Sequence, residues 1–149
     1  MNSARRPGAG RPAARRRLLG FTLVELMLVV VVVAVLASIA LPSYREYIRR
    51  SSREATQSQL IEMAGIQEKI FLNSNAYANN VAAPYDGKAS GGLGAAGGKS
   101  LDGRYLITAT VSGASYVLTA TPVAGGPQDG DGVLTIASDG KRTWGSKTW

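Results

Sequence analysis

Residues 21–41, FTLVELMLVVVVVAVLASIAL, are almost wholly apolar, with Glu25 the only charge among them. As a helix of 21 residues rising about 1.5 Å each, the run spans the roughly 30 Å hydrocarbon core of a bilayer. It therefore reads as a membrane-crossing segment, single-pass. Six arginines (5, 6, 11, 15, 16 and 17) and no acid precede Gly20. This excess predicts a cytoplasmic N-terminus, with everything after the run on the far side. Four more arginines, at 45, 49, 50 and 53, follow the run and moderate the asymmetry.

At 149 residues the chain has room for one folded domain. Taking the six leading arginines from 17 basic residues leaves 11 against 10 acids, so the net charge of +7 belongs mostly to the first segment. There is no Cys and no His. That removes disulfides, thiolate zinc sites, Cys nucleophiles and the usual Ser/His or Cys/His pairs. An enzyme is not the expectation, and no cofactor is expected.

Helical patterning continues beyond the apolar run. Leu60, Met63, Ala64, Ile66, Ile70 and Phe71 fall on one arc, while Glu62, Gly65, Glu68 and Lys69 fall off it. One long helix over 21–73 is expected, on the order of 80 Å, stopped near Asn73, Ser74 and Asn75. Pro42 interrupts it and cannot donate to the Ser38 carbonyl, which predicts a kink there. The Ser38 hydroxyl is expected to help satisfy the loosened turn. Tyr44, Tyr47 and Phe71 read as packing residues.

The globular head is expected over 74–149, beginning with an irregular stretch, 76–103, around the tract ASGGLGAAGGKS. That stretch reads as a functional surface loop or a mobile one. Alternating β-branched runs follow at Arg104–Val111, Tyr116–Thr121 and Val133–Ala137, with a weaker one near Lys141–Trp144. Ser112-Gly113-Ala114 and Asp139-Gly140 read as hairpin turns. The fold class is α+β: a long N-terminal helix, its hydrophobic half protruding, packed on an antiparallel sheet of three or four strands.

Residues 1–20 make a basic leader, ended by Gly20-Phe21-Thr22-Leu23-Val24-Glu25. An ordinary secretory signal is cut after its apolar region, here near Ser38-Ile39-Ala40. The boundary in this chain lies before it, so the apolar segment would be retained. A carboxylate at mid-membrane costs roughly 2.5–3.5 kcal/mol, less near an interface, which makes Glu25 a functional residue by default. The bland reading of Glu25 is a headgroup-level acid in a plain anchor.

These residues resemble the class III signal of the type IV pilin family, and PilE-type minor pilins within it. The resemblance implies cleavage between Gly20 and Phe21 by a prepilin peptidase and N-methylation of Phe21. It implies that Glu25 pairs with the N-terminal amine of a neighbouring subunit, and that Pro42 stands where pilins carry a proline. Two desolvated opposite charges cost far less together than apart, and their pairing sets axial register. The implied partners are other pilin subunits, the peptidase and an inner-membrane assembly platform. The implied location is the inner membrane with a periplasmic head, then an extracellular filament.

Tyr44-Arg45-Glu46-Tyr47, Arg49-Arg50-Ser51, Asn75–Tyr77 and Tyr116–Pro122 extend the resemblance over most of the chain. Asp131 and Thr148 stand at the places of a C-terminal disulfide usual in such minor pilins. The terminal loop is then expected to be held by packing, through Trp144 and Trp149. Ala34 stands where many pilins have Gly.

Other patterns carry less. Gly92-x-Gly94-x-x-Gly97 and Gly97-Gly98-Lys99-Ser100 mimic nucleotide loops, but no strand precedes and no helix follows. Asp129, Asp131 and Asp139 suit calcium chemically, though at no EF-hand spacing. Arg45, Arg49 and Arg53 share a helix face and are expected to pair with Glu46, Glu54 or Glu62, within or between subunits. From Asn75 onward six basic residues face five acids, so nucleic-acid binding is not expected of the head. Two alternatives stay open: a pseudopilin of a type II secretion system, and a DNA-binding competence pilin.

Overall fold

The computed structural model describes residues 20–149; of the expected leader, only Gly20 lies among them. The chain divides into two units, the first ending at Ala40 and the second running from Leu41 to Trp149. Helix α1, Leu23–Ser74, contributes to both.

In the first unit α1 is bare. Its large apolar side chains from Leu23 to Ile39 are all exposed, from 49% at Val29 to 74% at Val24. The helix is unbroken through Val29–Val33 and Ala34, although β-branched residues lower helix propensity.

In the second unit α1 becomes one-sided. Ser52, Thr56, Leu60, Met63, Gln67 and Ile70 are buried at spacings of three or four residues, the repeat of one helix face. The sequence pattern places Leu60, Met63 and Ile70 correctly on that face. It misses Ser52, Thr56 and Gln67, because polar residues carry no hydrophobic signal. Asn75 takes a left-handed φ of 50°, and its N–H donates to Phe71 O at 2.8 Å. This is a left-handed C-terminal cap.

The sheet has five strands, not three or four: β1 Tyr105–Ser112, β2 Ser115–Pro122, β3 Leu134–Ala137, β4 Arg142–Trp144 and β5 Lys147–Thr148. They lie in chain order as an antiparallel meander. β5 escapes the sequence pattern because two residues show no alternation. The β1–β2 turn pairs Ser112 with Ser115 around Gly113, whose φ of 58° favours glycine. Tyr105, Ile107, Tyr116, Leu118, Ala120, Leu134 and Ile136 are buried and form the core with the helix stripe.

The stretch 76–103 is irregular and largely exposed, but part of it enters the core. Ala78, Val81, Leu93 and Ala95 are buried in the core. Leu93 N–H donates to Asn80 O and Ala95 N–H to Val81 O, so two short pieces pair. Buried Gln67 clamps the stretch to α1: its Nε2 donates to Ala78 O at 2.7 Å and its Oε1 accepts from Ala78 N–H at 2.8 Å. Gly92 explains part of the glycine tract. A Cβ there would stand 2.0 Å from Ala83 O, a backbone atom that cannot swing away.

Candidate functional site

The first unit carries the residues expected to govern processing and assembly. Gly20 precedes the helix, is exposed, and has open space where a Cβ would stand. Phe21 is 78% exposed. Thr22 Oγ1 accepts the Glu25 N–H at 3.2 Å, satisfying one of the four unpaired amides of the first turn. Glu25 lies in that turn, where the positive end of the helix dipole favours an acid. Its carboxylate makes no hydrogen bond or ion pair among the described residues. The Thr22-x-x-Glu25 spacing is that of a capping box, of which only the threonine half is made.

Pro42 lies inside α1, at the start of the second unit. The Ser38 hydroxyl does not serve the turn that Pro42 loosens. It donates to Val35 O at 2.7 Å, because a hydroxyl proton on a helix reaches the carbonyl one turn back, not its own.

A second cluster, within the head, was not legible as a site. Arg53 donates from Nε and Nη2 to the two carboxylate oxygens of Asp131, at 2.8 and 2.5 Å. Tyr105 Oη donates to Asp131 Oδ2 at 2.7 Å. Gln128 Nε2 donates to Arg49 O at 2.9 Å and to Tyr105 Oη at 3.0 Å. Trp144 Nε1 donates to Asp131 O at 2.5 Å, and the Arg53 guanidinium stands 3.7 Å from the Trp144 ring centre. Arg49 donates to Pro127 O and Asp129 O.

Within one chain, two of the three arginines take other partners than those expected. Arg53 pairs with Asp131, and Arg49 meets carbonyls, not Glu46, Glu54 or Glu62. Those glutamates lie on the same helix, whereas the 127–131 loop comes over the arginine face from 78 residues away. Nor do the aspartates gather around a cation. Asp131 is taken by Arg53, Asp129 accepts from Gly125 N–H and Asp139 from Lys141 N–H, and no metal-holding acid cluster occurs among the described residues.

Charge follows the contacts. Burial pushes the Asp131 carboxyl up, but hydrogen bonds from Arg53 and Tyr105 and the charges of Arg53 and Arg49 outweigh it and hold it below the ordinary value. Burial first, then the neighbouring Asp131, pushes the Tyr105 hydroxyl up to about 12, so it stays protonated and donates. Asp102 forms a second knot. Ser52 Oγ donates to it, as do Ser100 Oγ at 2.6 Å and Arg104 N–H at 3.1 Å. Burial opposes ionisation there too, and these bonds outweigh it.

Residues 15–41 match the model of the prokaryotic N-terminal methylation motif. Residues 42–135 match the model described as type IV minor pilin ComP, DNA uptake sequence receptor. The chain belongs to the type IV pilin family. This pilin is 35% identical to fimbrial protein EcpC of Eikenella corrodens over 132 residues, covering 87% of this chain and 79% of that one. It is 34% identical to a type IV major fimbrial protein FimA of Dichelobacter nodosus, covering 70% of this chain and 63% of that one. With the type IV major pilin PilE of Neisseria gonorrhoeae the identity is 35%, over 68% of this chain and 54% of that one.

Family resemblance placed Asp131 and Thr148 at the two ends of a disulfide. In this pilin they serve separate contacts. Asp131 binds the helix through Arg53, and Thr148 pairs with Thr143 in the β4–β5 ladder. Trp149 Nε1 donates to Thr143 O at 2.9 Å. The terminal loop is thus held by an ion pair as well as by the two tryptophans.

Proposed function

We propose that this pilin is a structural, non-enzymatic subunit of a type IV pilus, in a minor role. It is made as a membrane-anchored precursor with its head in the periplasm. A prepilin peptidase cuts between Gly20 and Phe21, Phe21 is N-methylated, and an inner-membrane platform draws the subunit into an extracellular filament with other pilins. The observation that carries this reading is the bare apolar helix. A helix hydrophobic all round must be covered, first by lipid and then by neighbouring subunits. The exposed Gly20, just before the Thr22 cap, is a site that a peptidase can reach.

The mature chain from sheared surface filaments is expected to begin with N-methylated Phe21, read by intact mass and N-terminal fragmentation. Gly20→Glu should leave membrane insertion intact and abolish cutting. A mature N-terminus at Leu41, or an intact Met1, would remove the reading.

A second reading adds DNA uptake, and one observation favours it: the matched family model is described as a DNA uptake sequence receptor. The head's net charge is small, but its acids are occupied. Asp86, Asp102, Asp129, Asp131 and Asp139 all accept hydrogen bonds inside the head. Lys141, Arg142 and Lys147 lie on or beside β4 and β5, with Arg142 5.4 Å from the Trp149 ring centre and Lys147 5.3 Å from that of Trp144. Cations beside aromatic rings suit phosphates and bases. Duplex DNA should bind with a salt slope that flattens when these three residues become alanine. Unchanged anisotropy titrations would exclude this edge.

A further inference from the structure

We propose that a cavity at the start of the second unit is a site for the phosphate of an anionic phospholipid headgroup; the inference rests on the membrane-anchored precursor above. The cavity, about 410 Å³, is lined by Tyr44, Arg45, Ile48, Arg49, Arg104 and Pro127. Three guanidinium groups, permanently charged, border one space. Inside the head they are compensated only in part, Asp131 lying near enough to feel the charge of Arg49. Arg49 gives its hydrogen bonds to the carbonyls of Pro127 and Asp129, at 3.0 and 2.5 Å. The Arg45 side chain makes no hydrogen bond or ion pair among the described residues. Arg104 has one carboxylate neighbour, Asp102, at 3.7 Å. Its Nη1 is buried with no hydrogen-bond partner among the described residues. A buried, unmet guanidinium donor with two further arginines beside it calls for an anionic acceptor, and arginine matches phosphate geometry better than any other side chain.

Position selects the source of that phosphate. Leu41 ends the apolar run, and Tyr44 to Arg49 follow it by three to eight residues. That is about 4.5 to 12 Å along a helix, while each headgroup layer outside the hydrocarbon core is on the order of 5–8 Å thick. Arg45, about 6 Å along, therefore falls within the headgroup layer, and Arg49, about 12 Å along, lies outside it with a side chain long enough to reach back. Tyr44 and Tyr47 are 64% and 67% exposed, and tyrosines at this depth are interfacial anchors. Ile48 and Pro127 supply an apolar wall for the glycerol end. Basic pockets beside a membrane helix hold anionic headgroups in this way. A carboxylate from a neighbouring subunit would meet the same charges only after polymerisation, whereas the headgroup is present from insertion onward.

The test uses the full chain in zwitterionic detergent, with bound ligand counted by native mass spectrometry. The probes are dihexanoyl-phosphatidylglycerol, dihexanoyl-phosphatidylcholine and inorganic phosphate. One phosphatidylglycerol should bind, with phosphatidylcholine at least about ten-fold weaker. Arg45→Gln should weaken phosphatidylglycerol binding about five-fold. Arg50→Gln, outside the cavity, should not. The Arg45 change breaks no internal hydrogen bond, and near-UV circular dichroism checks that the head stays folded. Equal binding of the two lipids would mean acyl-chain binding and overturn the proposal. Inorganic phosphate binding as tightly as phosphatidylglycerol would overturn the lipid assignment. Absent lipid binding, with filaments lost in Arg45→Gln, would give the cavity to a neighbouring subunit. The N-terminus is read by mass on the same chain from its host, so failure of the precursor reading shows separately from failure to bind lipid.

Discussion

Asp131→Asn is expected to lower the melting temperature of the head by at least about 12 °C, because removing one partner of a buried ion pair costs about 3–5 kcal/mol and each kcal/mol shifts a domain of this size by about 4–8 °C. The pair is largely shielded from solvent, with side-chain exposures of 12% for Arg53 and 6% for Asp131. The substitution strands the Arg53 charge and weakens what Tyr105 and Gln128 donate to. Acid should act on the same bond. The Asp131 carboxyl sits below its ordinary value of 3.8, so its stabilisation is complete above that pH and lost as pH falls through the lower folded value. Asp102 is lowered as well and acts in the same direction. Wild type should therefore lose stability in acid below pH 3.8, and Asp131→Asn should show a shallower loss. Thermal melts of the full chain in micelles between pH 2 and 7 measure both effects. A drop of less than about 4 °C, or parallel pH profiles, would show that the cluster is ornamental. Reductant should change nothing, since the chain has no cysteine.

Glu25→Val should leave insertion, processing and abundance near normal while reducing incorporation into filaments about 100-fold or more, the population ratio that corresponds to about 3 kcal/mol. The local role of Glu25 is too small to account for such a loss. The Thr22 cap uses the backbone N–H of residue 25, which valine retains, and an acid in the first turn is worth about 0.3–1 kcal/mol through the helix dipole. The carboxylate itself has no partner among the described residues. Moved into a filament interior of valine and leucine side chains, it would cost several kcal/mol alone. The partner proposed to remove this cost is the processed amine of Phe21 on an adjacent subunit. Thr22→Ala separates the two roles. It should cost about 1 kcal/mol of helix-end stability without excluding the subunit. Sheared-filament yields of the two variants at matched expression decide the matter, and wild-type incorporation of Glu25→Val would reduce Glu25 to a tolerated polar residue.

The helix and most of the sheet were readable without coordinates because their signals are local. A 21-residue apolar run, a repeat of three and four ending in Asn, and alternating β-branched strands each report on neighbours in the chain. The Gly20–Glu25 motif is local in the same way. The order of basic leader, small residue, aromatic and early acid is contained in six residues and its flanks, so the family was legible there.

What the residue pattern left out depends on pairs distant in sequence. Arg53 had several acids within a turn or two of it, and periodicity favours those neighbours. Its actual partner, Asp131, arrives only because the β2–β3 connection folds back over the helix. Gln67 reads as a surface residue until Ala78 presents both an N–H and a C=O to it, which makes burial of a polar side chain tolerable. The tract 89–100 looks like a flexible loop by composition, yet one of its glycines, Gly92, is required by a backbone that passes too close for a Cβ. The ion pair at Asp131 has the same origin. The absence of cysteine is visible in the sequence, but the arginine that holds Asp131 lies 78 residues away, and only the packed head brings the two within hydrogen-bonding distance.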